Sequence, residues 1–135
     1  MPTRILVIDD EPESVKEEVV VCVASDPNYE ILTETGASIS SVLSHLPSVD
    51  IVLLDFRFDL PGQSIDGLSI LRQVRANRDG RDIPVILLSR VDDLGGEHVW
   101  REFTQSLQVA DFVAKSTPPE VIKYKIDREV RAARP

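Results

Sequence analysis

Cys22 is the one cysteine among 135 residues, so neither an internal disulfide nor a cysteine-rich zinc site can form. Long apolar runs are missing as well. The longest, Val19 to Ala24, falls far short of the ~20 residues that cross a bilayer. An acidic cluster follows the first short apolar stretch, where a secretory leader would stay apolar. No glycine-rich phosphate loop, internal repeat, linker or low-complexity stretch is present. Positive charge is scarce, with 15 Lys+Arg against 23 Asp+Glu and a net charge of −8. That balance argues against nucleic-acid binding by the bulk of the surface, which needs clustered cations. Together these absences predict a cytoplasmic protein with no membrane insertion and no direct nucleic-acid partner.

What is present fits one domain. The length matches a single core of about 100–150 residues, and 42% hydrophobic with 28% charged residues is ordinary globular composition. Residues 1–135 are therefore expected to form a single domain. Short β-branched runs alternate with helical periodicity. Strands are expected at Arg4 to Ile8, Tyr29 to Thr33, Asp50 to Leu54, Ile83 to Leu88 and Asp111 to Ala114. Helices are expected at Glu13 to Ala24, around Ile39 to Leu46, around Leu68 to Val74, around Val99 to Leu107 and at Pro118 to Ala132. Several strands are apolar without alternation, as strands covered on both faces are. Five strands alternating with five helices predict an α/β fold, a (βα)5 doubly wound parallel sheet. The last helix carries five basic and three acidic side chains from residue 120 onward, an arrangement that complements its own dipole.

In an open α/β sheet, ligands sit beyond the carboxyl ends of the strands. The first strand ends in Asp9 and Asp10, the third in Asp55, the fourth in Ser89 and the fifth in Lys115. The second ends in Thr33, Glu34 and Thr35, with nothing comparable. A strand order of 2-1-3-4-5 would converge the reactive residues and leave the blank strand at an edge. Three converging carboxylates repel one another unless a hard divalent cation such as Mg²⁺ sits among them. Lys115 adds a compact cation and Ser89 a hydroxyl. Such a set suits phosphoryl transfer, where catalysis is mainly positioning and charge neutralisation. Asp55, at the end of a central strand, is the best nucleophile and would form an acyl phosphate.

These residues resemble the receiver domain of bacterial two-component response regulators, a flavodoxin-like fold, over essentially the whole chain. RILVIDDEP is similar to the family's first strand and acidic pair. The resemblance implies that Asp10 is a direct Mg²⁺ ligand and that Asp9 acts through water. DIVLLD resembles the phosphoacceptor strand, which makes Asp55 the phosphorylated residue and the Arg57 backbone carbonyl a further metal ligand. IPVILLS implies a switch hydroxyl at Ser89, and ADFVAK implies a switch aromatic at Phe112 and the site lysine at Lys115. The stretch FRFDLPGQSIDG keeps Pro61, Asp66 and Gly67 but spreads them over a longer loop, with Asp59 near the site. Arg90 stands where the family prefers a small residue, and Ser116 replaces a proline, so a trans peptide is expected there.

The resemblance implies a phosphorylation-activated signalling switch rather than a turnover enzyme. A sensor histidine kinase or phosphotransfer protein would donate the phosphoryl group. The surface of the fourth helix, fifth strand and fifth helix would then alter its binding to a downstream protein partner or an output domain that this chain lacks, or to a second copy in a phosphorylation-dependent homodimer. A phosphorylation-independent docking module of the same fold is the alternative, motivated by Arg90, the long loop and Ser116. An aspartate-nucleophile phosphohydrolase fits poorly, because Arg57 occupies the position of its second acid. Bland roles stand beside these: helix-dipole acids for Asp9 and Asp10, plain core for Phe112, solvated side chains for Arg57 and Arg90, and core packing for Trp100. His45 and His98 are expected at the surface, and Cys22 on the apolar face of the first helix.

Overall fold

A computed structural model describes residues 2–55, 57–60, 63–89 and 105–133, the stretches 57–60 and 63–66 by backbone pairing only. Five strands, β1 (Thr3–Ile8), β2 (Tyr29–Glu34), β3 (Ile51–Asp55), β6 (Val85–Ser89) and β7 (Asp111–Ala114), form a parallel sheet in the order β2-β1-β3-β6-β7. This is the expected 2-1-3-4-5 order once the separate ribbon strands β4 (Arg57–Leu60) and β5 (Gln63–Asp66) are set aside. The register places Ile5 beside Ile51 and Leu54 beside Leu87. Apolar residues fill both faces of the central strands because both faces are covered. Leu6, Ile8, Val52, Leu54, Val85 and Leu87 pack with α3 (Ile39–His45) and α4 (Gly67–Ala76). Ile5, Val7, Ile51, Leu53, Ile86 and Leu88 pack with the first helical segment and the last helix, α5 (Pro119–Ala133). Each fully buried side chain of this size stabilises the fold by roughly 1.5–3 kcal/mol relative to exposure.

The first helical segment departs from a continuous helix. It consists of α1 (Pro12–Ser14), a π-helical turn (Val15–Val19) and α2 (Val21–Ala24). The Val20 N–H donates to the Val15 carbonyl at 3.0 Å, five residues back. This wider turn brings Val15, Val19, Val20 and Val23 all into the core. Cys22, expected on that face, is only half-buried, because the inserted residue rotates Val20 into its place.

The other elements follow the pattern with shifted ends. Val42 and Leu46 bury one face of α3 and the 3₁₀ turn after it, while Ile39 stays exposed. Ser38 caps α3 through its side chain, which accepts from the Ser41 N–H at 3.3 Å. On α4 the buried stripe is Ile70, Leu71 and Val74, and on α5 it is Ile122, Ile126 and Val130, as the spacing predicts. β6 begins at Val85, beyond Pro84, which has no N–H to give a ladder. The loop expected after Asp55 is an antiparallel ribbon, with Arg57 opposite Asp66 and Leu60 opposite Gln63. The expected fourth helix and its residues Trp100, Phe103 and His98 lie outside the described residues up to 104, as do Arg90 and the Gly95-Gly96 pair.

Three basic side chains of α5 pair with acids. Lys123 pairs with Asp26 at 3.2 Å, Lys125 with Asp111 at 2.7 Å and Arg128 with Asp111 at 3.2 Å. Among the described residues no helix is long and apolar enough to cross a membrane.

Candidate functional site

Every strand of the central set delivers its polar residue to the same end of the sheet. β1 runs out at Ile8 and the next two residues are Asp9 and Asp10, while β3 and β6 carry Asp55 and Ser89 as their last residues. The pairing of Ser89 with Ala114 puts Lys115 one step beyond, where its N–H donates to the Ser89 carbonyl at 2.7 Å. Carboxylate oxygens of Asp9, Asp10 and Asp55 all lie within 4.8 Å of one another. The Lys115 ammonium is 2.7 Å from Asp9 Oδ2 and 3.4 Å from Asp55 Oδ1. Asp9, Asp55 and Ser89 are buried at 2%, 5% and 0% exposure, and acids are seldom buried this deeply unless paired.

Burial dominates the electrostatics. It raises the Asp55 carboxyl, with help from the Asp9 charge and against Lys115, to about 6. Burial likewise raises Asp9, although the Lys115 hydrogen bond and the Glu11 N–H hold it back. For Lys115, burial works to lower the ammonium, but the Asp9 and Asp55 carboxylates outweigh it and raise the pKa above its usual value. One lysine therefore faces two buried carboxylates and a third beside them. A hard divalent cation suits this oxygen donor set, since Mg²⁺ is commonly held by one or two carboxylates with waters completing its shell. Both oxygens of Asp9 are engaged within the chain. Its Oδ1 accepts from the Glu11 N–H at 2.8 Å and its Oδ2 from Lys115.

Ser89 Oγ is buried and has no hydrogen-bond partner among the described residues. Phe112, in β7, is half-buried against the α3–α4 side of the core. The Lys115–Ser116 peptide is trans, as expected without proline. The side chains of Arg57 and Asp59 and the whole of Arg90 lie outside the described residues. His45, expected at the surface, is half-buried with its Nε2 3.0 Å from Glu34 Oε1. Beside the carboxylates a cavity of about 460 Å³ opens between the π turn and the β7–α5 connection, lined in part by Glu11, Ser14, Glu18, Lys115 and Ser116. The sequence reading missed Ser14 and Glu18. Their spacing of one helical turn, directly after the acidic pair, was the available signal.

No family model matches the chain. Among the curated proteins that resemble it in sequence are two bacterial ones. A protein-glutamate methylesterase/protein-glutamine glutaminase of Anaeromyxobacter dehalogenans is 32% identical over 103 residues, 74% of this chain and 26% of that protein. The cyclic di-GMP phosphodiesterase response regulator RpfG of Xanthomonas campestris is 36% identical over 77 residues, 57% of this chain and 18% of that protein. The chain thus spans about a quarter or less of these relatives. Among solved structures, the receiver domain of a sensor histidine kinase from Pseudomonas aeruginosa PAO1 has a magnesium ion in its active-site cleft. It superposes with a TM-score of 0.69 at 24% identity, covering 97% of this chain and 99% of that one. A CheY-like response regulator receiver domain from Methanospirillum hungatei JF-1 gives a TM-score of 0.73 at 16% identity, covering 98% and 97%. Strand order, site placement and sequence likeness agree, and the chain is a receiver domain of the response-regulator kind.

Proposed function

We propose that this domain is a phosphorylation-controlled signalling switch whose phosphoacceptor is Asp55. The observation that carries the reading is the convergence of Asp9, Asp10, Asp55, Ser89 and Lys115 at one end of the sheet, with the acids buried beyond what one lysine neutralises. An Asp55 carboxylate oxygen attacks the phosphorus of a phosphohistidine on a sensor histidine kinase or phosphotransfer protein. The P–N bond breaks, the imidazole leaves with its electron pair and takes a proton, and Asp55 becomes an acyl phosphate. Lys115, already 3.4 Å from Asp55 Oδ1, stays against the new phosphoryl oxygens. Asp10, Asp55 and the Arg57 carbonyl would hold Mg²⁺, with Asp9 acting through water. Bound there, Mg²⁺ supplies charge neutralisation to the phosphoryl oxygens.

The buried, unpartnered Ser89 hydroxyl then gains an acceptor, and Phe112 in the neighbouring strand moves further into the core. Partners that bind the two states differently read the change. They are a downstream protein, an output domain or a second copy, meeting the surface of the fourth helix, β7 and α5. On this reading residues 1–135 are one receiver domain working in the cytoplasm, and it performs no turnover on an external substrate.

The test is phosphorylation of the whole chain by acetyl phosphate with Mg²⁺, read by intact mass and by hydroxylamine sensitivity of the adduct. Uptake is expected in the wild type and absent in Asp55→Asn. Label retained by Asp55→Asn would remove the assignment. If beryllofluoride with Mg²⁺ leaves the amide NMR spectrum of β6 and β7 unchanged, the phosphorylation-independent docking module takes its place.

A further inference from the structure

Opposite the carboxylates, at the amino end of the sheet, one cation is bound in a different manner. Arg75, near the end of α4, is half-buried, and its guanidinium is surrounded by backbone carbonyls. Nε donates to Leu107 at 2.8 Å, Nη1 to Ile83 at 2.6 Å and to Gly80 at 2.8 Å, and Nη2 to Gln108 at 3.1 Å. A longer contact of 3.4 Å reaches the Arg81 carbonyl. The planar fork joins the turn before β6 to the turn before β7, a task that the point charge of lysine cannot reproduce.

Gln108 is also the one non-glycine residue with positive φ (54°) among the described residues. It follows a helical turn at 105–106, and a residue just past a helix end commonly adopts this left-handed conformation, usually as glycine. Glutamine holds it only where the surroundings compensate for the strain. Arg75 contacts the carbonyl of Gln108 itself and that of the preceding residue. Immediately after, Val109 enters the core and the Ala110 N–H donates to the Val85 carbonyl at 2.9 Å, which starts the β6–β7 ladder. That ladder ends at Ser89 beside Ala114 and at Lys115. A shift of one residue in its register would turn every side chain of β7 to the other face and take Lys115 off the carboxylates.

We propose that Arg75 is a positioning residue for Lys115, acting from the far end of the sheet by clamping the left-handed turn at Gln108 and thereby the entry and register of β7. The clamp stands on the geometry alone. Its consequence for phosphoryl transfer rests on the function proposed above.

Two measurements on the whole chain keep the two ideas apart. The first is native-state amide hydrogen exchange in Arg75→Lys. Exchange at residues 111–115 is expected to rise at least about tenfold, while β1 and β3 amides stay within about twofold, the signature of local opening. Adding Gln108→Gly, which relieves the left-handed strain, should restore most of that protection. A uniform rise across β1, β3 and β7, or no rescue by Gln108→Gly, would overturn the clamp. The second is the initial rate of phosphorylation by acetyl phosphate in Arg75→Lys, Lys115→Ala and the double variant. The double variant is expected to match Lys115→Ala, because both changes remove the same contribution. Independent losses that multiply would remove the link to Lys115. If the wild type takes up no phosphoryl group, the functional reading fails while the exchange result still decides the clamp.

Discussion

At the amino end of the sheet, Arg75 delivers its protons to carbonyls on two turns. At the carboxyl end, Asp9 and Asp55 share one lysine, and the Ser89 hydroxyl has no partner among the described residues. Both ends take charge out of water. Burial lowers the Arg75 guanidinium and raises Asp9 and Asp55, so each charged form is disfavoured. The difference lies in what compensates. Fixed carbonyl dipoles satisfy the arginine within the chain, and nothing further is required of that end. On the proposed function the carboxylate end is completed by a cation and a phosphoryl group, so its deficit within the chain is the capacity to bind.

The contrast breaks most severely at Gly80, whose carbonyl accepts from Arg75. A Cβ there would lie 2.2 Å from the Val74 carbonyl oxygen and 2.9 Å from Leu46 Cδ1. Backbone cannot give way as a side-chain tip can, so Gly80→Ala should destabilise the domain by ~3 kcal/mol. Urea unfolding measures this. Mg²⁺ affinity of the folded fraction should be unchanged, since the carboxylates sit on strands anchored elsewhere.

The next largest effect belongs to the other end. Mg²⁺ at 100 times its Kd should stabilise the wild type by about 2.7 kcal/mol. Asp10→Ala should remove most of that gain, because it takes one of the three clustered carboxylates out of the oxygen donor set. Thermal unfolding with and without Mg²⁺, with Ca²⁺ as a comparison, checks both. Equal stabilisation of Asp10→Ala and wild type would place the cation elsewhere.

Asp55→Asn sharpens the comparison in the metal-free chain. The folded Asp55 carboxyl stands at about 6 against a usual 3.8, so the folded state holds this proton more tightly than the unfolded one. Its contribution is most favourable below pH 3.8 and is lost as pH rises through about 6. Metal-free stability should therefore fall between pH 4 and 7 by about 2 kcal/mol on account of this group. Asparagine, with no charge to bury, should flatten that slope and stabilise the protein at pH 7 while abolishing phosphoryl uptake. Denaturant titrations across the pH range, with and without the substitution, test the sign.

Much of this was legible in the sequence for a physical reason. Runs such as ILVI and IVLL, apolar on both faces, require a covered parallel sheet, and the residue after each run then falls at one end by topology. Asp9, Asp10, Asp55, Ser89 and Lys115 were recognisable in this way. The π turn was not, because VVVCV permits two registers and only packing against the sheet selects Val20 over Cys22. The ribbon after Asp55 was not either, since RFDL alternates over only four residues and QSID does not alternate. Arg75 left no trace because carbonyl acceptors belong to every residue type, so no side-chain pattern marks a cation bound by backbone.

The smallest effect is the most discriminating. Ser89 Oγ is fully buried and unpartnered, and an unsatisfied buried hydroxyl costs the folded state free energy that alanine does not incur. The void left by one oxygen is small, so Ser89→Ala should change metal-free stability by no more than about 1 kcal/mol, in the stabilising direction. The same substitution should blunt the beryllofluoride-induced change in β7 amide shifts, including those of Phe112, while Mg²⁺ binding persists. A structural hydroxyl would behave in the opposite way, with clear destabilisation and an intact response. Removing a partner of Arg75 cannot produce this pattern, because every such group is already bonded. On the proposed function, a substitution that stabilises the resting chain and silences its response belongs only to the end of the sheet that receives the phosphoryl group.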